Sequence, residues 1–424
     1  MKNGILIKGA RVLSPGDGPE EEKDILIRDG VVARIAGNIG ADEAEEVIDA
    51  GGAYASPGFV DVHSHFRDPG QTEKEDIHTG AGAAAAGGYT TVVCMANTVP
   101  AVDSVEVLGS VYEKAAKEDI RVLQCASVTL GRSGKELTDF EALKKAGAAG
   151  FTDDGSPIMD EGLVRSAMEE AKRLDTILSF HEEDPGFIGV AGINEGPVSK
   201  ELNIRGASRE AEISMVKRDL ALALEIGCRI DIQHVSAKET VELIREAKKR
   251  DRGGLIHAEV TPNHFSMTED AVRKYGALAK INPPLRSEED RQALIEGLKD
   301  GTIDIIATDH APHTKGDKEK ELSRCMSGII GLETAFSLGL KNLVEPGHIT
   351  LSELIKLMSL NPAEAYGLDA GHLREGGNAD IVIFRTDEET VYDRFKSLSD
   401  NTPFKGMTAP GRIVHLIARG RKVY

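Results

Sequence analysis

The sequence lacks tryptophan, is poor in aromatic residues and has no long apolar run. Aromatic side chains make up 4% of its 424 residues. No apolar stretch is long enough to cross a bilayer, which takes about 20 consecutive residues. The four cysteines show no CxxC pair, so we expect reduced cytosolic thiols. Residues 1–4 contain no signal-peptide hydrophobic region, and we therefore expect a cytoplasmic protein.

Positive charge is also scarce. The formal net charge is -19, with 51 Lys and Arg against 70 Asp and Glu. This balance argues against nonspecific binding to nucleic acid and against binding to an anionic membrane surface. It does not exclude an anionic small substrate, because local arginines can still bind one.

Both ends of the chain have a β pattern. In residues 1–55 short β runs alternate with turns, and residues 366–424 contain further strands, with a hairpin at the end. The first segment is too short to be a complete domain with a good core. We therefore expect the two segments to join into one small β domain.

Between them, residues 56–365 alternate apolar strands with helical segments, which is typical of βα units around a parallel sheet. Strands are predicted at 58–63, 90–95, 121–127, 149–153, 176–181, 229–235, 255–261 and 303–309. Eight such units predict an α/β fold with a (β/α)8 barrel as the catalytic domain. The long loops at 182–207 and 311–327 follow strands five and eight, where loops usually serve the active site.

The His63-Ser64-His65 segment at the end of the first barrel strand is the first sign of a metal site. Residues i and i+2 of a strand point to the same face, so both imidazoles can reach one point. Imidazole suits zinc and similar divalent metals. A His-x-His can equally end a strand without a metal, so the interpretation depends on the later strands.

Four later barrel strands end in residues of the same chemical kind. Strand four ends in Asp153 and Asp154, strand five in His181, strand six in His234 and strand eight in Asp309. In a barrel these strand ends converge on the face where catalysis occurs. Four histidines and two carboxylates form a set large enough for two divalent metals.

The order and spacing of these motifs resemble the amidohydrolase superfamily and, within it, the bacterial type I dihydroorotases. The resembling motifs are 57–70 (PGFVDVHSHFRDPG), 95–100 (MANTVP), 152–155 (TDDG), 181–183 (HEE), 234–236 (HVS), 259–262 (EVTP), 282–286 (NPPLR) and 307–313 (ATDHAPH). They extend over nearly the whole chain. The first and the last are partly shared with hydantoinases and allantoinases.

The resemblance implies one or two zinc ions per subunit, with two favoured. The implied ligands are His63, His65 and Asp309 for one ion and His181 and His234 for the other. Hydantoinases, allantoinases and some dihydroorotases bridge their metals with a carboxylated lysine at the end of strand four, where this chain has no lysine. The type I enzymes with an aspartate bridge imply Asp154, and Asp153 remains the alternative.

The resemblance also assigns residues to the substrate. The implied substrate-binding residues are His65, Arg67, Asn97, Asn282, His313, Ser327 and Gly328. Arg67, Asn97 and His313 would anchor a free carboxylate, and an arginine fork suits that planar anion. Asn282 would bind the ring amide and the 327–328 backbone would contact the ring. A competing interpretation of Arg67 is that it pairs with Asp68 or Glu75 and only shapes its loop.

The activity that the resemblance implies is the reversible cyclisation of N-carbamoyl-L-aspartate to L-dihydroorotate in pyrimidine synthesis. A metal-bridged hydroxide would attack the ring carbonyl, and Asp309 would act as general acid and base. A homodimer and an association with aspartate transcarbamoylase are further expectations. The alternatives are a hydantoinase or allantoinase, whose rings contain a similar amide, and a non-catalytic scaffold for aspartate transcarbamoylase, which would tend to lose metal ligands.

Overall fold

The structure is a computed structural model that describes residues 4–15 and 20–424. Of residues 1–4, for which we expect no signal peptide, residues 1–3 lie outside the described ranges. Within the described ranges, no helix is long and apolar enough to span a membrane.

The strands of the described residues fall into a terminal sheet and a barrel. In chain order they are β1 (Ile5–Val12), β2 (Glu21–Arg28), β3 (Val31–Ala36), β4 (Glu46–Asp49), β5 (Tyr54–Pro57), β6 (Phe59–Ser64), β7 (Tyr89–Cys94), β8 (Arg121–Gln124), β9 (Leu178–Phe180), β10 (Ile230–Ile232), β11 (Ile256–Val260), β12 (Ile305–Ile306), β13 (Ile381–Val391), β14 (Thr408–Ala418) and β15 (Arg421–Lys422).

The helices surround the barrel, and several begin at a side chain that accepts a backbone N–H. They are α1 (Ile77–Ala86), α2 (Val105–Ala115), α3 (Phe140–Lys145), α4 (Glu161–Arg173), α5 (Pro197–Glu201), α6 (Glu210–Ile226), α7 (Lys238–Arg250), α8 (Pro262–Ser266), α9 (Asp270–Tyr275), α10 (Glu288–Asp300), α11 (Lys315–Lys318), α12 (Ala335–Gly339), α13 (Leu351–Met358) and α14 (Leu360–Ala365). Asp76, Ser104 and Asp160 cap α1, α2 and α4 in this way, which satisfies N–H groups that the helix itself cannot bond.

The terminal sheet joins both ends of the chain, as predicted. Its strand order is β15-β14-β13-β5-β1-β2-β3, and β4 pairs with β1. Ile5, Ile7, Ile25 and Ile27 from the N-terminal strands form one apolar core with Ile381 and other residues of the C-terminal strands. The N-terminal strands therefore bury their apolar face against the end of the chain rather than against a core of their own.

The predicted barrel is confirmed. Strands β6-β7-β8 are parallel, and so are β9-β10-β11-β12. Phe151 connects the two groups through parallel bridges to Ala126 and Leu178, and a bridge between Ser64 and His310 closes the ring. The chain predicted as strand four, 149–153, thus contributes a bridge instead of a strand, because it turns away at Asp153, whose carbonyl accepts the N–H of Ser156.

Three connections lie around the C-terminal ends of the barrel strands. The loops predicted at 182–207 and 311–327 contain the short helices α5 and α11. The third is residues 392–407, which connect β13 to β14 of the terminal sheet and hydrogen-bond to the loop that follows β12. The terminal sheet therefore contributes to the face that carries the predicted metal ligands.

Candidate active site

The predicted site residues converge on one cavity of about 280 Å³ at the C-terminal ends of the barrel strands. Those that line it are His65, Arg67, Asn97, Asp154, His181, His234, Asn282, Asp309, His313, Ser327 and Gly328. His63 is fully buried, with its Nε2 atom 3.7 Å from Asp154 Oδ1 and 3.5 Å from Asp309 Oδ1. All the residues named from the sequence thus lie together.

Three of these residues have left-handed backbone, which is uncommon outside glycine. The φ angles are 57° at Arg67, 33° at His234 and 46° at Asp309. Such conformations cost about 1–3 kcal/mol each and persist where the surrounding structure fixes them, often at functional sites. Here the turn at each position comes at or just after a strand end and directs the side chain into the cavity.

His63 lies near the end of the apolar strand β6 and His65 directly follows it, and the two are held by different partners. His63 Nδ1 donates to Glu259 Oε2 at 2.9 Å, which leaves Nε2 towards the carboxylates of the site. His65 Nδ1 donates to Asn97 Oδ1 at 2.9 Å, and its Nε2 lies 2.9 Å from Asp309 Oδ1. In both rings one nitrogen is oriented by a polar side chain and the other faces the site, an arrangement usual for metal-ligating histidines.

The second half of the cluster is formed by His181 and His234. His181 Nδ1 lies 2.9 Å from His234 Nε2 and 3.4 Å from Asp154 Oδ1. His181 Nε2 donates to Glu183 Oε2 at 3.0 Å. Asp154 therefore lies between the two histidine pairs, since its other oxygen, Oδ2, is 3.6 Å from His65 Nε2.

The two adjacent aspartates have different surroundings. Asp153 accepts the backbone N–H groups of Val128 and Thr129 at 2.8 and 3.1 Å, and also the Thr129 hydroxyl. Its carboxylate is thereby tied to the loop that follows β8. Asp154 instead accepts Asn97 Nδ2 at 2.7 Å and faces the histidines. Of the pair left open by the sequence, Asp154 is the one within reach of both histidine groups.

The charges of the cluster are distributed unevenly. Burial opposes ionisation of Asp154, but a hydrogen bond from His181 and the nearby imidazoles hold the pKa of this carboxyl well below its usual value. Burial, together with the neighbouring histidines His181 and His63, holds the pKa of His234 well below its usual value. Asp154 is therefore anionic and His234 neutral near pH 7, the states in which both can bind a metal.

This donor set fits divalent metal ions. Ligand atoms of His63, His65 and Asp309 lie within 4.8 Å of one another, and so do those of His63, Asp154 and His234. Within the described part of the chain, His63 Nε2 and His234 Nδ1 are buried and have no hydrogen-bond partner. Leaving a buried polar atom unpaired costs about 1–3 kcal/mol. A bound cation would relieve this cost at His63 Nε2, which faces the carboxylates of Asp154 and Asp309.

Glu259 is the partner of His63. It lies in one of the resembling motifs, but the sequence assigns it no role. It lies on β11, is fully buried and raises the pKa of His63 against the opposing effect of burial. An acidic residue at a buried position of an apolar strand is the signal that could have identified it. By holding the Nδ1 proton it fixes the tautomer and orientation of the His63 ring.

We expect Glu259→Gln to weaken divalent-metal binding by about 10–100-fold, the usual effect of removing such an orienting group. The amide retains the shape but not the charge that increases the basicity of His63. Competition with a chromogenic chelator measures the affinity, and Glu246→Gln is the control, since Glu246 is exposed and pairs with Lys249. Equal metal affinity of Glu259→Gln and wild type would exclude this role.

One wall of the cavity is cationic and carries the residues assigned to a carboxylate. Arg67 Nε donates to the Pro312 carbonyl at 3.2 Å, and its Nη2 lies 3.5 Å from His313 Nε2. His313 Nε2 donates to the Ser327 carbonyl at 2.8 Å. Burial, with Arg67 and two lysines nearby, lowers the pKa of His313 to about 2, so the imidazole is neutral. Among the residues assigned to the carboxylate, Arg67 is the charged one.

The amides Asn97 and Asn282 retain bonding capacity towards the cavity. Asn97 Nδ2 carries two hydrogens and donates one of them to Asp154. Asn282 Oδ1 is buried without a hydrogen-bond partner in the described residues, so it can accept an N–H group from a ligand. The Gly328 N–H donates to the Lys280 carbonyl, so the contact predicted for this part of the loop does not involve that N–H group.

Arg132 also lines the cavity and was not found from the sequence. Its Nη2 donates to the Asp154 carbonyl at 2.6 Å and to Ser156 Oγ at 2.8 Å. Arg132 lies in the loop after β8, and no motif in the sequence marks that loop. It holds the turn that presents Asp154.

Two family models together match residues 52–424. A dihydro-orotase-like model matches residues 52–240, and an amidohydrolase family model matches residues 230–424. The dihydroorotase of Clostridioides difficile (strain 630) is 51% identical over 420 residues, 99% of each chain. The chain belongs to the dihydroorotase family. Another relative, the dihydroorotase of Lactococcus lactis subsp. lactis (strain IL1403), is 49% identical over 421 residues, again 99% of each chain.

Solved structures of related enzymes share the family's fold. An L-hydantoinase (dihydropyrimidinase) from Arthrobacter aurescens is 28% identical, with a TM-score of 0.86 over 100% of this chain and 96% of that one. A D-hydantoinase is 25% identical, with a TM-score of 0.86 over 99% of this chain and 94% of that one. The barrel with a sheet from both termini is thus common to enzymes that act on different rings.

Proposed function

We propose that this chain is a dihydroorotase that interconverts N-carbamoyl-L-aspartate and L-dihydroorotate. Full-length identity of 51% to a dihydroorotase supports this activity. The observation in the site that carries the proposal is that Arg67 has no carboxylate partner within the described residues. Its guanidinium lines the cavity and forms no ion pair with a carboxylate in the described part of the chain. A substrate with a free carboxylate on its ring would supply that partner.

The competing interpretation of Arg67 required Asp68 or Glu75 as its partner. The Asp68 carboxylate instead accepts Lys114 Nζ at 2.5 Å. Glu75 is buried and accepts hydroxyl groups of Thr79 and Ser397 and the Leu398 N–H. Neither carboxylate neutralises Arg67, which supports its assignment to the substrate.

We further propose two zinc ions as the cofactor. His63, His65 and Asp309 would hold one ion and His181 and His234 the other, with Asp154 between them. Mixed imidazole and carboxylate ligands are the donors that zinc accepts. Zinc in such a site polarises a carbonyl group and lowers the pKa of water so that it can attack near neutral pH.

The residues of the chain bind the ring and transfer the proton. Arg67 binds the ring carboxylate through its planar, charged guanidinium. The side-chain oxygen Oδ1 of Asn282 accepts the ring N–H. Asp309 takes the proton of the attacking water and delivers it to the ring nitrogen as the C–N bond breaks. In ring closure Asp309 removes a proton from the carbamoyl nitrogen, and the same contacts hold the open chain.

A hydantoinase is the second candidate, because the structural neighbours include two hydantoinases. Hydantoin has no carboxylate and would leave Arg67 without a partner. A non-catalytic scaffold is disfavoured by the convergence of all six implied ligands. Assays of the purified protein on dihydroorotate, hydantoin and allantoin, side by side, discriminate among the three. Hydantoin as the best substrate would overturn the proposal, and no turnover of any ring would favour the scaffold.

We expect Arg67→Met to lower kcat/KM for dihydroorotate by at least about tenfold, because a charge-assisted hydrogen bond is worth about 1.5–3 kcal/mol. Residual turnover of hydantoin should change far less, since that ring has no carboxylate. kcat/KM on both rings, together with a melting curve, measures the effect. Arg165→Met is the matched control, because Arg165 pairs with Glu225 on the surface. Equal losses on both rings would assign Arg67 to loop structure.

The homodimer and the association with aspartate transcarbamoylase remain proposals that rest on the sequence resemblance, and the cytoplasmic location remains a proposal from the composition of the sequence. Light scattering on the chain alone, and then with aspartate transcarbamoylase added, tests the first two.

A further inference from the structure

The connection between β13 and β14, residues 392–407, reaches the carboxylate side of the cavity. Connections of this length without a strand or helix of their own are uncommon and are often functional. Within it, Ser397, Ser399, Asn401 and Thr402 are buried although all are polar. Such burial requires partners, and those of Ser397, Ser399 and Asn401 lie in the loops that follow β6 and β12.

Asn401 is the central residue of this contact. Its Nδ2 donates to the carbonyl oxygens of Ala311 and Gly328, both at 3.0 Å. Its Oδ1 accepts the backbone N–H of His313 at 2.9 Å. A carboxamide has two hydrogens to donate and an oxygen to accept, so this geometry uses both of its ends. Aspartate lacks the donors, and an apolar side chain would leave the Ala311 carbonyl and the His313 N–H unpaired, while the Gly328 carbonyl would keep only Lys318 Nζ.

The backbone groups that Asn401 binds belong to two loop segments that flank the cationic wall. One contains Ala311 and His313, and the other contains Ser327 and Gly328. Gly328 has φ 142°, and a Cβ there would lie 2.8 Å from the Ala311 carbonyl oxygen, so the two segments approach too closely for another residue. Asn401 binds both segments at this closest approach.

The His313 ring depends on the same contact. Its main-chain N–H is held by Asn401, and its Nε2 donates to Ser327 O at 2.8 Å. Lys318 Nζ also donates to the Gly328 carbonyl, at 2.9 Å, but contacts neither Ala311 nor His313 in the described residues. Asn401 therefore adds a second link between His313 and residues 327–328, beside the direct bond from His313 Nε2 to the Ser327 carbonyl.

We propose that Asn401 is a positioning residue for the carboxylate-binding wall, acting through His313 and the 327–328 backbone. The inference rests on the proposed function, because the ring carboxylate is the group that the wall would bind. Within the described residues Asn401 hydrogen-bonds none of the implied metal ligands. Its loss should therefore weaken binding more than it slows the chemical step.

The test compares Asn401→Ala with wild type on dihydroorotate. We expect KM to rise by at least about tenfold, the equivalent of about 1.4 kcal/mol, because two buried backbone groups are left unpaired and a third loses one of its two partners. We expect kcat to change by less than about threefold and the zinc content to stay the same, because a purely binding interaction leaves the chemical step intact. Asn378→Ala is the matched control, since Asn378 also donates two hydrogen bonds, to Asp369, on the exposed side of the terminal sheet.

A double-mutant cycle with His313→Ala separates positioning from a general structural role. If Asn401 acts through His313, then Asn401→Ala should raise KM by no more than about threefold when His313 is already absent, whereas independent effects would multiply. Full multiplication, or an unchanged KM in the single variant, would overturn the proposal.

If Asn401→Ala does not fold, Asn401→Asp provides the second measurement. It retains the acceptor for the His313 N–H but places a carboxylate against two carbonyl oxygens. We again expect a raised KM with a nearly constant kcat, and a wild-type KM would count against the role. Failure of the proposed function itself is distinct, because wild type would then not turn over dihydroorotate at all.

Discussion

Asp309→Asn should lower kcat by at least about a hundredfold, since a positioned general acid and base contributes about 10²–10⁴-fold. The amide has the shape of the carboxylate but cannot accept the proton of the attacking water. Asp309 Oδ1 also lies 2.9 Å from His65 Nε2 and 3.5 Å from His63 Nε2, so the same substitution weakens one implied zinc site. Loss of proton transfer and loss of zinc would both lower kcat.

Elemental analysis of the variant separates these two contributions. A variant that retains zinc but loses turnover has lost proton transfer, whereas a variant without zinc has lost the cofactor first. Asp304→Asn is the matched control, because Asp304 lies just before β12 and binds His257 and Lys248 away from the cavity. A kcat for Asp309→Asn above about a tenth of the wild-type value would contradict the assigned role, given the range expected for such a group.

Removal of metal should abolish activity, and addition of zinc should restore it. The cluster has two buried imidazole nitrogens without hydrogen-bond partners in the described residues, and without a cation nothing in this site activates water. Dialysis against a chelator, followed by titration with zinc, gives activity against metal content. The number of zinc ions per chain at full activity is the measurement that decides between one ion and two.

A pair of histidine variants tests whether this cluster is the metal site. His63→Ala should lower the zinc content and the activity together. His257→Ala is the control, since His257 lies on β11 but binds Asp304 outside the cavity. Full activity in a preparation that elemental analysis shows to be free of metal would refute the cofactor proposal.

Local patterns predicted the barrel and the set of histidines and aspartates at its strand ends, whereas the substrate residues were implied by the family resemblance. Apolar strands alternating with helices indicate βα units, and the ligands follow the strand ends that must converge. The choice between Asp153 and Asp154 did not follow from local pattern. It depends on Val128 and Thr129, whose N–H groups bind Asp153 from another loop.

The partners missed by the sequence are distant along the chain. Glu259 is 196 positions from His63, and Asn401 is 88 positions from His313. Glutamate and asparagine are common residues, and their roles here come only from the groups that the fold places beside them. The predicted strand at 149–153 was wrong, because two bridges from the single residue Phe151, to Ala126 and to Leu178, continue the ring between β8 and β9.

The closure of the barrel between Ser64 and His310 also concerns the order in which the protein matures. Asp61 accepts the backbone N–H of Thr308 at 2.8 Å, so the first and last barrel strands are joined beside His63, His65 and Asp309. The ligand group of His63, His65 and Asp309 therefore cannot form on the ribosome until the chain beyond residue 309 has emerged. Zinc captured there would hold the ring closed, and at a thousandfold excess over its dissociation constant a ligand stabilises the folded state by about 4 kcal/mol. Metal loading at this group therefore cannot precede synthesis of the chain beyond residue 309.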